Sequence, residues 1–379
     1  MLMHLPTALI FAYVLIRFIL PLPVNGKIKF LAGLLLLLVS QQHLLIRYAS
    51  GNMASPEVPV PLLLVSGGSF AALLFLFLLL LARDVFLLSR RLILGAKRQA
   101  SPPFSQGRRQ AIIAAMAVLP AAYGVRQGIV VPDVHHVETR LPGLPKELDG
   151  LTLAQISDLH ISPLLQEPRV RAVVDKINAL EPDLILFTGD TVDGIPARRA
   201  GSIAPLKDLR ARYGVFGCAG NHEYYGNYAA WMRTFPDLGV TMLLNSHTVL
   251  KIRGKELVVA GITDMVAERF SLPGPDLARA LAGAPEGAVR ILMDHRPINA
   301  PENAGAGVDL QLSGHTHGGQ ILGIHQPVAG FNRGFLYGWY QVDAMRLYVS
   351  SGAGLWNGFP VRLGVPPEIV RMVLRSAMT

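Results

Sequence analysis

Five short runs in this chain end on groups that can hold a cation or move a proton. They are Ser157-Asp158-Leu159-His160, Gly189-Asp190-Thr191-Val192-Asp193, Gly220-Asn221-His222-Glu223, Asp294-His295 and Gly314-His315-Thr316-His317-Gly318-Gly319-Gln320. Carboxylates, imidazoles and one amide suit Mn²⁺, Zn²⁺ or Fe better than Ca²⁺, which prefers cages of oxygen alone. Taken singly, each run has a plainer reading. Asp158-x-His160 could be a turn with an incidental histidine, and Asp190 and Asp193 could cap helices. Asn221-His222 could be turn chemistry, and His295 a hydrogen-bonded core histidine. His315-x-His317 resists such a reading, because alternate residues of a strand aim two imidazoles at neighbouring points only if one leaves the sheet face. As a set the runs are harder still to dismiss, since each directly follows an apolar segment.

Those segments, Leu151–Ile156, Asp183–Thr188, Gly214–Ala219, Val289–Met293 and Val308–Leu312, read as strands. Between the first two, Pro168 sits at a first helical position, and Val170, Val173, Val174, Ile177 and Leu180 recur at helical spacing. An amphipathic helix packed on a sheet is expected there, in an α/β domain whose chemistry lies in loops past the carboxyl ends of the strands. No internal repeat is visible. Ser101–Gly107 and Pro142–Gly150 read as loops or linkers.

In combination the runs resemble the calcineurin-like metallophosphoesterase family, and within it the branch of transmembrane proteins with a metallophosphoesterase domain. Tyr348-Val349-Ser350-Ser351-Gly352 and Pro367-Glu368 resemble that branch as well. The resemblance covers about 151–379 and implies a four-layer α/β/β/α sandwich with two mixed sheets. It implies that Asp158, His160 and His317 hold one metal, that Asn221, His295 and His315 hold another, and that Asp190 bridges them. His222 would then be catalytic without being a ligand, protonating the leaving oxygen or stabilising its charge. Glu223, where Asp is also common, and Asp294, where many members carry an apolar residue, depart from the pattern without touching a ligand. The implied cofactors are two divalent ions, with Mn, Zn and Fe all compatible. Two cations about 3.5–4 Å apart acidify a water between them and neutralise charge on a phosphoryl group. Asp193 could orient a ligand or cap the next helix; both readings stay open.

The rest of the composition points to a membrane. Of 379 residues, 51% are hydrophobic and only 16% charged, and the long uncharged runs lie before about residue 128. Four segments, about 5–24, 30–46, 61–82 and 111–125, have the character of membrane helices, judged against the roughly 20 residues that a span needs. Arg17 lies inside the first, where it could snorkel to an interface or pair with a neighbouring helix. The expected layout is a membrane domain over 1–128, a linker and first strand over 129–150, and the phosphoesterase domain over 151–379. Arg83, Arg90, Arg91, Lys97, Arg98, Arg108 and Arg109, against the single acid Asp84, place the loop before the fourth segment in the cytoplasm. A multi-pass protein of the cell membrane follows, with its catalytic domain outside the cytoplasm. Arg108-Arg109 before an apolar, Ala-rich stretch also looks like an export signal, which gives the same side.

The formal charge of +9 does not signal nucleic acid as a partner. Residues 1–150 hold 14 Lys/Arg against 6 Asp/Glu, and residues 151–379 hold 21 against 20, so the excess belongs to the membrane part. Cys218, the only cysteine, excludes an intrachain disulfide and a thiolate metal cluster. The expected function is hydrolysis of a phosphodiester, pyrophosphate or phosphomonoester. The aromatic run Phe331, Phe335, Tyr337, Trp339, Tyr340, then Trp356 and Phe359, suggests a substrate-covering or membrane-dipping loop, and hence a lipid-linked substrate such as a nucleotide-linked acylated sugar; a plain hairpin core is the other reading. The alternative function is a membrane sensor or scaffold whose phosphoesterase domain only binds. A complete ligand set argues against it. A Ser/Thr protein phosphatase fits less well, because Gly194-Ile195-Pro196 rather than an arginine follows Asp193.

Overall fold

Leu184–Thr188 buries every one of its side chains, as a strand must when both faces of its sheet are covered. The computed structural model, which describes residues 4–94, 105–356 and 358–377, builds around such strands. The chain divides into two units, Met1–Arg126 with Gly358–Leu363, and Gln127–Asn357 with Gly364–Thr379.

The larger unit holds twelve strands among the described residues: β1 Asp133–Leu141, β2 Thr152–Ile156, β3 Leu184–Thr188, β4 Val215–Cys218, β5 Thr241–Met242, β6 Ser246–Ile252, β7 Lys255–Gly261, β8 Val289–Met293, β9 Leu310–Ser313, β10 Gly338–Val342, β11 Met345–Val349 and β12 Glu368–Ser376. They form two mixed six-stranded sheets, ordered β1-β12-β2-β3-β4-β5 and β10-β11-β9-β8-β7-β6. Within the first, β2, β3, β4 and β5 run parallel; within the second, β7, β8, β9 and β11 do.

Alternation along each strand sorts side chains into layers. Leu153, Leu184 and Leu186 point inward, to meet Leu257, Val259, Ile291, Leu310 and Leu312 of the second sheet. On the outer face of the first sheet, Ala154, Ile156, Ile185 and Phe187 pack under Val170, Val173, Val174 and Ile177 of the helix Glu167–Asn178. Ala260, Leu292, Leu347 and Val349 do the same on the other side, beneath Ala280 and Ala300 of short helices. Helix, sheet, sheet, helix is the four-layer order that the resemblance implied. The expected strands lie within two residues of those observed, and the helix begins at Glu167 with Pro168 in its first turn. Pro142–Gly150 contains a short 3-10 turn, Lys146–Leu148. Ser101–Phe104, part of the expected first linker, lies outside the described residues, and Gln106 already starts a helix.

The helical unit departs from the expected four spans. Two helices are long and apolar enough to cross a membrane, Val60–Ile93 and Gln106–Gly128. The expected 30–46 segment is broken: Gly26–Ser40 and Gln42–Ser50 meet at a 56° bend, and they make a third span only if the pair counts as one. The expected 5–24 segment stays helical only from His4 to Ile19, below span length, and Pro21 and Pro23 follow its end. Conversely the shortest expected segment, 111–125, extends to a 23-residue helix despite Pro120 inside it. Arg83, Arg90 and Arg91 belong to the helix Val60–Leu94 rather than to a loop. Arg17 pairs with that helix: its Nε lies 2.6 Å from Asp84 Oδ2, which also accepts from Tyr13 Oη at 2.7 Å.

The segment Gly358–Leu363 is held within the helical unit, although sequence neighbours on both sides belong to the other. The Phe359 ring meets Phe70 edge-on at 6.2 Å, and the Arg362 N–H donates to the Gly124 carbonyl at 2.9 Å. A Cβ on Gly67 would stand 2.4 Å from Pro360, so the helix can approach the segment only through a glycine there.

Candidate metal centre

All five expected runs leave the carboxyl ends of β2, β3, β4, β8 and β9, and they meet where the two sheets converge. Asp158, His160 and His317 offer ligand atoms within 4.8 Å of one another, and so do Asp190, His295 and His315. Asp190 lies between the two groups, with Oδ2 3.2 Å from His295 Nε2 and 3.8 Å from His160 Nε2. His160 Nε2 and His317 Nε2 are 3.1 Å apart. Asn221 Oδ1 and His315 Nε2 face a common neighbour, the guanidinium of Arg296, each at 3.0 Å. Every residue expected at the site from the sequence is therefore brought to it.

Tautomers follow from the partners of the second ring nitrogen. The Thr188 carbonyl, which can only accept, lies 2.8 Å from His295 Nδ1, so that nitrogen carries hydrogen and Nε2 faces Asp190. His295 Nε2 is buried and makes no hydrogen bond among the described residues. His160 Nδ1 lies 3.2 Å and His222 Nδ1 2.6 Å from the same oxygen, Asp193 Oδ1. That closes the question left open for Asp193. It caps nothing, the next helix being entered through Ile195, and it orients two histidines at once.

Electrostatics show what the donor set lacks. Burial would lower His295, but Asp190 and then Asp158 outweigh it and raise the imidazole to about 10. Burial opposes His222 likewise, and Asp193 with Asp190 lifts it to about 9. Two buried carboxylates facing four imidazoles thus call for positive charge. A divalent cation satisfies lone pairs that a proton can satisfy only one at a time, so the donor chemistry fits metal. His315, pressed by burial and by Arg296, is held well below the usual histidine value and is ready as a neutral ligand.

Backbone shape serves the same convergence. Asp158, His160, Asp190, His315 and His317 all adopt left-handed backbone, with φ between 48° and 69°. The Asp158 carboxylate accepts the His315 N–H at 3.0 Å, tying the β2 loop to the β9 loop. Gly314 permits that closeness, because a Cβ there would stand 1.8 Å from Ser157 Oγ.

A model of the calcineurin-like phosphoesterases matches residues 151–319. The transmembrane protein with metallophosphoesterase domain of Danio rerio is 32% identical over 297 residues, 75% of this chain and 67% of that relative. The chain belongs to the calcineurin-like metallophosphoesterases. The Bos taurus protein of the same name is 31% identical and aligns over 71% of this metallophosphoesterase and 63% of its own length. An uncharacterised metallophosphoesterase of Bacillus subtilis, YkuE, is 30% identical and is covered over 99% of its length. The metallophosphoesterase thus spans about two thirds of its vertebrate relatives. A solved 5'-nucleotidase precursor from Thermus thermophilus superposes weakly, with TM-score 0.39 and 17% identity over 59% of this chain and 55% of that one.

Three residues of the metallophosphoesterase site were not foreseen in their roles. Glu223, expected to leave the ligands alone, accepts backbone N–H groups from Asp190, Thr191, Val192 and Gly220 at 2.7–3.3 Å, and so holds the Asp190 loop in place. Arg296 and its partner Asp264, 2.7 Å apart, form one wall. The only signal for Arg296 was a basic residue directly after His295. Most of the aromatic run proves to be core: Trp339 packs on Tyr348 and Phe335 on Tyr340. Phe331, 82% exposed, and Tyr337 are not covered.

Proposed function

We propose that this metallophosphoesterase is an active hydrolase of phosphate esters with two divalent ions. Asp158, His160 and His317 would hold one ion, Asn221, His295 and His315 the other, and Asp190 both. The observation that carries this reading is the pair His295 Nε2 and Asp190 Oδ2, 3.2 Å apart and buried, with the Thr188 carbonyl committing the other ring nitrogen. Bound there, the ions supply an acidified water and neutralise phosphoryl charge. His222 then acts from beside the ions. Its Nδ1 is committed to Asp193, so Nε2 is the atom that hands a proton to the leaving oxygen, and a value raised to about 9 keeps that proton available at neutral pH.

The substrate, on this reading, is a lipid-linked phosphoester. Support comes from apolar side chains exposed on both rims: Leu322 and Phe331 after the His317 turn, and Met265 and Phe270 on the turn that Asp264 opens. Phe270 lies 6.3 Å from the Tyr225 ring, which itself meets His222 at 5.1 Å. We further propose residues 1–126 as the multi-pass membrane part, with the catalytic domain outside the cytoplasm. That side depends only on the last helix: the basic residues before Gln106–Gly128 remain cytoplasmic, and 23 residues suffice to cross.

The test is turnover of bis-nitrophenyl phosphate, nitrophenyl phosphate and a lipid pyrophosphate by full-length protein loaded with Mn²⁺. Activity that chelator abolishes and His222→Ala reduces roughly 100-fold or more is expected. A loaded protein inert toward all three would support the binding-only reading. Equal rates on lipid and soluble diesters would remove the lipid assignment alone.

A further inference from the structure

The guanidinium of Arg296 lies against the centre in a way that the ligand set does not explain. Its Nε donates to Asp264 Oδ2 at 2.7 Å, and Asp264 is fully buried, its Oδ1 taken by the Val266 N–H at 2.7 Å. This contact fixes the side chain, one fifth exposed, with its outer edge turned toward the ligands. Along that edge Nη1 is 3.0 Å from His315 Nε2, and Nη2 is 3.0 Å from Asn221 Oδ1. Both acceptors are atoms assigned above to a metal ion.

A ring nitrogen has one lone pair, and it cannot serve an N–H and a cation together. Any ion bound by His315 and Asn221 therefore takes the His315 contact from Arg296 and competes for the other. The guanidinium cannot retreat, because Asp264 holds its Nε. It cannot lose its charge either. Two coplanar N–H groups then remain beside the ions in need of acceptors, and the spacing of that fork matches two oxygens of a phosphoryl group. A lysine would offer a point charge without the fork.

We propose that Arg296 is the residue of this chain that grips the substrate's phosphoryl oxygens, and that through the same two N–H groups it competes with a divalent ion for His315 and Asn221. This rests on the two-metal reading. It has a signature that a merely structural arginine lacks: substitution weakens anion binding while leaving cation binding equal or stronger.

The experiment uses full-length protein in detergent, with Arg296→Gln and Arg296→Lys beside the unaltered chain. Calorimetry gives Mn²⁺ affinity, and inorganic phosphate is then titrated at saturating Mn²⁺. Phosphate affinity is expected to fall roughly 10- to 100-fold in both variants, as for loss of a charge-assisted pair. Mn²⁺ affinity is expected to be unchanged in Arg296→Lys and unchanged or several-fold tighter in Arg296→Gln. With bis-nitrophenyl phosphate, KM should rise more than kcat falls. Unaltered phosphate affinity in either variant overturns the proposal, and so does parallel loss of Mn²⁺ and phosphate in both, which marks a structural role. Failure of the unaltered chain to bind Mn²⁺ would instead sink the two-metal reading, and this inference with it.

Discussion

Five of the seven expected ligands sit in left-handed backbone, a conformation that costs a non-glycine residue about 1–2 kcal/mol. No local gain offsets that cost, and the buried carboxylates of Asp158 and Asp190 add repulsion. A cation at the site therefore contributes to folding as well as to chemistry. Mn²⁺ at about 100 times its dissociation constant should stabilise the protein by about 2.7 kcal/mol, so chelator should lower the thermal midpoint by several degrees in a scanning experiment. Equal midpoints with and without chelator would mean that no ion is held. Asp193 gives a second prediction. His222 holds its proton up to about pH 9, so the rate should fall above that value; in Asp193→Asn the fall should begin at lower pH, toward the ordinary histidine value, and the rate at pH 8 should drop roughly 100-fold or more. Identical alkaline limbs in a pH–rate profile would exclude the pairing. At this scale the ligands were legible, because their residue types carry the chemistry. The roles of Glu223 and Asp193 were not, since each is set by which loop crosses which in space.

Among the elements, β8 matches its expected limits and four others lie within two residues, because strands buried on both faces write continuous apolar runs. The half-exposed strands left weaker marks: β6 is only partly covered along most of its length, and β5 has two residues. Nor does local pattern reveal that β12 pairs with both β1 and β2. The loops past β2 and β9 carry a prediction of their own. Gly314→Ala would push a methyl group to 1.8 Å from Ser157 Oγ, and the loops would have to part by more than a side-chain rotation allows. Metal affinity should fall roughly 10- to 100-fold, measured as bound Mn²⁺ after dialysis, while the strands keep their circular dichroism. Full metal occupancy in this variant would show that the loops are slacker than the close approach implies.

For the whole molecule, side is the testable property. Cys218 is buried, so the natural protein should resist maleimides, and Lys207→Cys, at an exposed position, supplies one reporter. A membrane-impermeant maleimide should label it in intact cells. Labelling only after lysis would put the catalytic domain in the cytoplasm. The helical unit was the least legible part, because hydropathy registers apolar content and not where a helix bends or stops: Gln41 breaks one expected span, and Pro21 and Pro23 follow the early end of another.

Gly358–Leu363 bears on how the enzyme could be made water-soluble. Deleting the first 126 residues alone would strip Phe359, Pro360 and Val361 of Phe70, Gly67 and Gly124, leaving a sticky greasy tab on the truncated product. A shortened version that behaves in buffer needs a second cut, with a few glycines and serines spliced between Trp356 and Gly364. Aggregation of the singly trimmed version, relieved by that graft, would mean that this tab had been sheltered by the helices.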